Sequence, residues 1–421
     1  MRRLWVVLIA VLLLSGCAGP AANQGGQQNT GDWQRSYAGA SGWRIGYSVT
    51  ETSSSNFVIA GKQINASNDS ATNSIFMTNA DANGRAQWAI NSLKDDKGVS
   101  EYAFYVAASN DGGINFLSRK QGNGTTTAET TACFMDQQHS MKFNEVLDAK
   151  RVLNEFSRIQ SLNDGGYLAV AFDSGGIMNN DGGQPILTMD QAYLVNYDSR
   201  WNKIWEVPLA KSASNSANYR VSSLVQTRDK GYLLLASAVE EMIDVPASLV
   251  MKYDNKGACL WSRAAEKAKD IVPATDNNGF VLLGSGINDT TDEQVMQVSS
   301  FDNMGKKQWC RTFPGVTNGF RIIAGKSGGY IITGTTAVSS GTDIYAVILD
   351  SLGNRLWDKK SQVSKVGCPF QIIQTRAGAI VIAANQGKVS TGSNLWDTET
   401  EGDVVLIKFE LPGSPKPADL I

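Results

Sequence analysis

The stretch Asp302-Asn303-Met304-Gly305-Lys306-Lys307-Gln308-Trp309 decides the fold, because its pattern recurs along the chain. An Asp is followed seven residues later by a large aromatic residue in six segments: Asp81…Trp88, Asp136…Phe143, Asp198…Trp205, Asp254…Trp261, Asp302…Trp309 and Asp350…Trp357. In four of them a Gly stands three residues after the Asp, at Gly84, Gly257, Gly305 and Gly353. A period of roughly 50 residues predicts an array of small supersecondary units.

A second signal, a Gly-rich turn followed by an apolar run, precedes each of these Asp residues. Examples are Asp164-Gly165-Gly166-Tyr167 and Ser327-Gly328-Gly329-Tyr330. Gly tolerates positive φ in tight hairpins, and short apolar runs between such turns predict strands. Each unit therefore has four strands, of which the third ends at the Asp and the fourth carries the aromatic residue. Four-stranded antiparallel units repeated around an axis are typical of a β-propeller.

The last unit lacks its fourth strand, since there are seven Gly-turn signals but six Asp-to-aromatic signals. The segment 32–37 has no Gly turn of its own and resembles the outer strands around Trp261 and Trp309. We therefore predict an all-β, seven-bladed β-propeller of four-stranded antiparallel blades, in which the N-terminal strand around Trp33 closes the last blade. Closure removes sheet edges that would otherwise pair with other chains. Six or eight blades, or a stacked solenoid, are the alternatives.

The N-terminus has the pattern of a bacterial lipoprotein signal. Two arginines precede a short apolar run that ends in Leu14-Ser15-Gly16-Cys17, which resembles a lipobox with Cys17 as the lipidated residue. We expect residues 1–16 to be a signal peptide, 17–31 a lipidated flexible tether, 32–413 one propeller domain and 414–421 an irregular tail. This places the protein in the cell envelope, anchored to membrane lipid: at the outer membrane or periplasm of a Gram-negative host, otherwise on the outer face of the cell membrane.

Composition narrows the chemistry. The net charge of −2 gives no electrostatic footprint for nucleic acid. The single histidine, His139, argues against a His-based zinc site or a Ser-His-Asp triad, and its place three residues after Asp136 predicts a turn residue. Four cysteines remain beside Cys17, and their pairing is open between free thiols and bridges: Cys133, Cys259, Cys310 and Cys368.

The repeated Asp residues are interpreted as hairpin residues that accept main-chain N–H groups, rather than as catalytic acids or metal ligands. We expect no cofactor. Two oxygen-rich loops keep a calcium alternative open, one containing Asp181 and the other Asp289 and Asp292.

Candidate ligand-binding residues are those that depart from the repeat. Trp201 and Trp396 fall outside the aromatic register, and Trp396 belongs to a long polar loop. Propeller ligands bind at the channel mouth, which the first strands line. Counting back nine residues from the aromatic or aliphatic residue after each Gly turn gives this set: Ser48, Tyr105, Arg158, Ser223, Ile271 and Arg321. Arg158 and Arg321 suit an anionic ligand; the alternative is that they bridge blades or face solvent.

The repeat of Gly-Gly-Tyr, β-run, Asp-x-x-Gly and Trp resembles bacterial and archaeal exported β-propeller repeat proteins, with kelch-like or quinoprotein-like architecture. That resemblance implies the fold and transfers no active-site residue. Our hypothesis is a non-catalytic, membrane-anchored scaffold that binds an envelope protein or glycan. The alternatives are a polysaccharide-active enzyme using carboxylate or Tyr chemistry at the channel mouth and, by analogy, an envelope protein-assembly factor.

Overall fold

A computed structural model describes residues 31–39, 42–65, 72–91, 99–122, 128–154, 157–173, 192–209, 219–238, 247–276, 278–287, 291–338, 341–362, 366–388 and 401–411. All of its regular elements are strands, and these form seven antiparallel sheets. In this described part of the chain, no helix has the length and hydropathy that a membrane crossing requires.

The first four blades follow one another along the chain. Blade 1 comprises β2 (Trp43–Glu51), β3 (Phe57–Asn65), β4 (Thr72–Ala80) and β5 (Ala86–Asn91). Blade 2 comprises β6 (Val99–Ala108), β7 (Ile114–Gly122), β8 (Ala128–Met135) and β9 (Met141–Val146). Blade 3 comprises a first strand in two pieces, β10 (Arg151–Val152) and β11 (Ile159–Ser161), then β12 (Tyr167–Asp173), β13 (Ala192–Tyr197) and β14 (Lys203–Pro208). Blade 4 comprises β15 (Tyr219–Gln226), β16 (Tyr232–Ala238), β17 (Ser248–Tyr253) and β18 (Cys259–Ala265).

The last three blades complete the predicted seven. Blade 5 comprises β19 (Ala268–Pro273), β20 (Gly279–Ile287), β21 (Gln294–Asp302) and β22 (Lys307–Phe313). Blade 6 comprises β23 (Asn318–Ala324), β24 (Tyr330–Val338), β25 (Gly341–Leu349) and β26 (Arg355–Gln362). Blade 7 comprises β27 (Val366–Gln374), β28 (Ile380–Lys388), β29 (Glu401–Phe409) and β1 (Trp33–Tyr37).

The N-terminal strand closes blade 7, as the sequence predicts. Strand β1 pairs antiparallel with β29, with Trp33 opposite Lys408 and Tyr37 opposite Val404. The Asp32 carboxylate also accepts a hydrogen bond from Glu410 N at 2.8 Å, which extends the pairing by one residue. The fold is therefore the predicted all-β, seven-bladed β-propeller.

The chain divides into two compact units, each with its own core. Unit 1 holds the described residues of Met1–Glu145, Thr375–Asn385 and Glu401–Ile421; unit 2 holds those of Val146–Gln374 and Gln386–Thr400. In unit 1, apolar side chains of blades 1 and 2, such as Met77 and Phe116, form one cluster. In unit 2, blades 3 and 4, 4 and 5, and 5 and 6 share further clusters. Each fully buried aliphatic or aromatic side chain contributes about 1.5–3 kcal/mol.

The Asp residues of the repeat organise the turns before the outer strands. In the turn of blade 5, Asp302 Oδ1 accepts hydrogen bonds from Met304 N and Lys306 N, each at 2.9 Å. The same pair of bonds recurs at the other five: Asp81, Asp136, Asp198, Asp254 and Asp350. The interpretation of these carboxylates as turn residues is confirmed.

The aromatic residues and glycines of the repeat form a contact between consecutive blades, which we call the latch. A Cβ placed on Gly353 of blade 6 would lie 2.8 Å from the Trp309 ring of blade 5, and Gly353 has a φ of +80°. Gly84 lies against Trp33 in the same way, and Trp33 Nε1 donates a hydrogen bond to Ala82 O at 3.0 Å. At Gly84, Gly257 and Gly353 a side chain would collide with the neighbouring ring and would also have to adopt a left-handed backbone.

Two blades carry a large residue at the glycine position of the latch. His139 has a φ of +62°, and its ring lies 4.9 Å from that of Trp88. Trp201 has a φ of +65° and stacks on Tyr167, with ring centroids 4.0 Å apart and planes 4° apart. Trp201 therefore belongs to the repeat, three residues after its Asp, although the aromatic register suggests otherwise.

Candidate functional site

The first strands of the blades share a β-bulge. In blades 1, 2, 4, 5 and 6, the pairing of the first strand with the second skips one residue. The residues directly after the bulge occupy one equivalent position: Ser48, Tyr105, Ser223, Asp270 and Arg321. Bulges redirect side chains and recur at the rims of sheets and beside binding sites. The backbone therefore repeats at this position, whereas the side chain changes from blade to blade.

The sequence prediction for blade 5, Ile271, is wrong by one residue. The turn before β20 closes with a hydrogen bond from Ala274 N to Gly279 O, whereas the other turns span one residue fewer, as from Gly325 N to Gly329 O. The longer turn shifts the equivalent position to Asp270. One sequence signal pointed there, because Asp270 is the only acidic residue in its strand.

The two predicted arginines each reach the first strand of the next blade. Arg158 Nε donates a hydrogen bond to Ser222 O at 2.7 Å, and Arg321 Nε donates to Phe370 O at 2.8 Å. Both arginines therefore bridge neighbouring blades, in agreement with one of the alternatives that the sequence leaves open. Each of these bonds helps to fix the plane of its guanidinium group.

Asp270 links blades 5 and 6. Its side chain is 6% exposed; Oδ1 accepts a hydrogen bond from Ile271 N and Oδ2 from Ile322 N, each at 3.0 Å. These two main-chain N–H donors fix the position of the carboxylate between the first strands of the two blades. A negative charge is therefore held in place among the first strands of unit 2.

The charges on these strands interact. The pKa of Arg158 is lowered to about 9, chiefly by burial and next by the positive charge of Arg321; Arg220 adds to the shift and Asp270 opposes it. The guanidinium nevertheless remains a cation at neutral pH. Three arginines and one carboxylate give a net charge of +2 in this group, which we call the first-strand cluster: Arg158, Arg220, Asp270 and Arg321.

Lys269, the bulged residue before Asp270, adds a further cation. Its Nζ lies 3.2 Å from Asn318 Oδ1, to which it donates a hydrogen bond, and 5.6 Å from the centre of the Phe320 ring. Burial lowers the pKa of Lys269 to about 8, and the neighbouring Lys267 contributes in the same direction. Because burial disfavours both Lys269 and Arg158 as cations, a bound anion would stabilise this region.

The other candidate residues lie elsewhere. Tyr105 is half-buried at the bulge position of blade 2 in unit 1, whereas the first-strand cluster belongs to unit 2. Trp201 is 2% exposed and packs between Tyr167 and Tyr197, so its ring is not offered to a ligand. Cys17 and Trp396 lie outside the described residues.

The described residues give no geometric support to the calcium alternative. Asp181 and Asp289 lie outside the described residues, and Asp292 is exposed with a φ of +55°. Among the residues that the structure describes, no three His, Cys, Asp or Glu side chains converge as a metal-binding group. The four cysteines beyond Cys17 are separate thiols. Of these, Cys133 is buried, which raises its pKa to about 12.

Known proteins resemble this chain in structure. No family model and no curated protein sequence matches it. It is similar to a catalytically inactive virginiamycin B lyase from Staphylococcus aureus, solved with quinupristin, at 10% identity over 90% of this chain and 100% of that one, with a TM-score of 0.50. A second similar structure is the Pan2 WD40 domain of Neurospora crassa, at 10% identity over 92% of this chain and 98% of that one, with a TM-score of 0.48. A third is the NanB sialidase of Streptococcus pneumoniae, at 11% identity over 88% of this chain and 69% of that one, with a TM-score of 0.43. At such identities the likeness shows the fold alone, which is that of a β-propeller.

Proposed function

We propose that this protein is a lipid-anchored scaffold of the cell envelope, which binds a negatively charged group of a protein or glycan partner at the first-strand cluster and does not transform it. The observation that carries the proposal is the net positive charge of that cluster. The cluster joins residues from the first strands of several blades, and hydrogen bonds to main-chain atoms hold Arg158, Arg321 and Asp270. Preorganised guanidinium groups suit the recognition of carboxylate, sulfate or phosphate.

A binding role fits the chemistry of these groups better than acid–base catalysis. Arg158 is protonated at neutral pH, and a group that keeps its proton is a poor general acid or base. Both oxygens of Asp270 accept main-chain N–H groups, which suits a structural carboxylate. The lipid anchor rests on the Leu14-Ser15-Gly16-Cys17 pattern.

The binding part is tested with the full-length protein in detergent micelles. Calorimetric titration with oligogalacturonate, its neutral methyl ester and inorganic phosphate separates charge from sugar recognition. We expect the acidic oligosaccharide or phosphate to bind and the ester not to bind. Arg158→Gln and Arg321→Gln should each weaken binding about tenfold. Arg85→Gln, at an exposed turn of blade 1, is the matched control and should leave binding unchanged. Absence of saturable binding by either anion, or equal loss in the control, contradicts the proposal.

The anchoring part has its own test. Cys17→Ser should abolish incorporation of labelled palmitate and move the protein from the membrane fraction to the soluble fraction. A membrane-bound Cys17→Ser variant would contradict the anchor without affecting the binding proposal.

A further inference from the structure

A pair formed by a carboxylate and a lysine recurs in unit 2 at fixed offsets from the outer-strand aromatics. Between blades 4 and 5, Glu266 Oε2 lies 2.7 Å from Lys307 Nζ. Glu266 is five residues after Trp261, and Lys307 is two residues before Trp309. Gln297 Nε2 also donates to Glu266 Oε1 at 3.0 Å. The protein's own carboxylate thus occupies this groove and neutralises its cation.

The same arrangement is present at the start of unit 2. Asp148 Oδ2 lies 3.2 Å from Lys203 Nζ. Asp148 is five residues after Phe143, and Lys203 is two residues before Trp205, so both offsets are preserved. In both grooves a carboxylate therefore stands at this position beside a lysine, and Lys203 also pairs with Glu206 at 2.9 Å.

The groove between blades 5 and 6 has the cation without the carboxylate. Pro314 stands five residues after Trp309, where Glu266 stands in the preceding groove, and Arg355 stands two residues before Trp357. Arg355 Nε is 3.7 Å from Asp358 Oδ1, and the side chain is 60% exposed. A cavity of about 510 Å³ opens beside Pro314 and Arg355, which we call the blade 5–6 cleft.

The lining of the cleft suits an anion with an apolar body. Phe313, Val316 and Tyr345 line it and are buried, with exposed fractions of 7%, 4% and 3%. Arg311, Arg355 and Lys360 supply three positive charges against the single carboxylate of Asp358. Burial raises the pKa of Tyr345 to about 12, so its phenol keeps its proton at neutral pH, and its hydroxyl is hydrogen-bonded to Asp358 and Arg355. A cavity of this volume is within the range of specific ligand sites.

Exposed aliphatic side chains stand next to the cleft. Leu352 and Leu356, on either side of the lining residues Gly353, Asn354 and Arg355, are 64% and 66% exposed. Leu352 and Leu356 offer apolar contact area beside the basic cleft, which suits a segment that carries both carboxylates and aliphatic side chains.

We propose that the blade 5–6 cleft binds an acidic peptide segment of a partner protein, whose carboxylate takes the place that Glu266 fills between blades 4 and 5. Aliphatic residues of that segment pack against Leu352 and Leu356. The cleft contains none of the residues of the first-strand cluster, so it is a second binding site that stands independently of the proposed function.

The test uses full-length protein in detergent micelles and a fluorescein-labelled peptide, Leu-Glu-Leu-Asp-Leu, compared by anisotropy with its Gln and Asn counterpart. We expect the acidic peptide to bind at least tenfold more tightly than the amide peptide. Arg355→Gln and Lys360→Gln should each weaken it about tenfold. Pro314→Glu supplies the missing carboxylate from within the chain and should abolish binding.

Matched controls isolate the cleft. Lys307→Gln changes the equivalent cation of the filled groove and should leave peptide binding unchanged, as should Arg85→Gln at an exposed turn of blade 1. Thermal unfolding checks that each variant is folded, and Arg355→Gln decides the outcome should Pro314→Glu prove unstable. The proposal is overturned by equal affinity for both peptides, by full binding in the Arg355→Gln variant, by displacement with oligogalacturonate but not with unlabelled acidic peptide, or by the lack of saturation up to about 1 mM peptide.

Discussion

The latch and the first strands both repeat from blade to blade, yet they repeat in different ways. In the latch, the residue types recur, because the ring of Trp309 leaves no room for a side chain at Gly353. In the first strands the bulge recurs, but its position holds Ser48, Asp270 or Arg321 in different blades. A contact that is sterically closed constrains the sequence, whereas a bulge constrains only the backbone. The first strands are therefore free to carry recognition chemistry.

The largest effect is expected from the charge balance of the first strands. Asp270→Asn removes a buried negative charge and one of the two acceptors for main-chain N–H groups. It should lower the free energy of unfolding by about 3 kcal/mol, in the range for breaking a buried charge arrangement. Urea denaturation measures the loss. The double variant Asp270→Asn with Arg158→Gln should recover part of the lost free energy of unfolding. A loss below about 1 kcal/mol in Asp270→Asn alone would show that the charges do not depend on each other.

The latch is tested by two glycines with similar backbones and different surroundings. Gly353 has a φ of +80° and a Trp309 ring atom 2.8 Å from its Cβ position; Gly315 has a φ of +75° and no atom within 4 Å. Gly315→Ala should cost about 1 kcal/mol for the left-handed backbone alone. Gly353→Ala should cost about 2 kcal/mol more, since the ring must move. Equal losses in denaturation would mean that the latch does not select glycine sterically.

Lys269 gives the first strands a pH dependence. Its pKa is lowered to about 8 by burial, so the folded protein releases this proton at a lower pH than the unfolded chain does. Between about pH 8 and pH 10.5 the unfolded chain binds more protons at this group, and its contribution to stability rises with pH. Relative to Lys269→Met, the wild-type protein should gain about 1 kcal/mol from pH 7 to pH 9 in denaturation experiments. A constant difference between the two proteins would contradict this.

The smallest effect concerns the turns that precede the second strands. Lys230 is exposed and has a φ of +62°, at the position that Gly165 and Gly328 hold in other blades. Lys230→Gly should stabilise the protein by about 0.5 kcal/mol, because relief of the left-handed backbone exceeds the added freedom of the unfolded chain. The melting temperature reports the sign, and a decrease would show that the lysine side chain contributes a compensating contact.

The fold was predictable from sequence because the latch requires the same residues in most blades. Even the closing strand was predictable, since Trp33 meets Gly84 of the next turn as Trp205 meets Gly257 and Trp309 meets Gly353. The first-strand cluster was predictable only in part. Arg158 and Arg321 follow from counting along the strands, but Asp270 was missed because one turn is a residue longer. Trp201 was misassigned because its contact with Tyr167 comes from tertiary packing, which periodicity does not report.

The blade 5–6 cleft could not be recognised from a single segment of sequence. Its signal is the replacement of a carboxylate by Pro314, and that replacement has meaning only once the structure shows Glu266 paired with Lys307 in the neighbouring groove. A sequence repeat indicates which residue types recur at a position. The structure shows which space or charge is left without its usual partner when a blade carries a different residue there.

The pairing of β1 with β29 also has a mechanical consequence. Strand β1 has five residues and is the link between blade 7 and all chain that precedes Asp32. A pulling force applied from the N-terminal side first reaches Asp32, which is bonded to Glu410 N, and then Trp33, whose indole donates to Ala82 O in blade 1 and whose strand is paired in blade 7. The load is therefore shared between two blades from the first residue of the strand. Under tension, the closing strand transmits the force to blade 7 and blade 1 together.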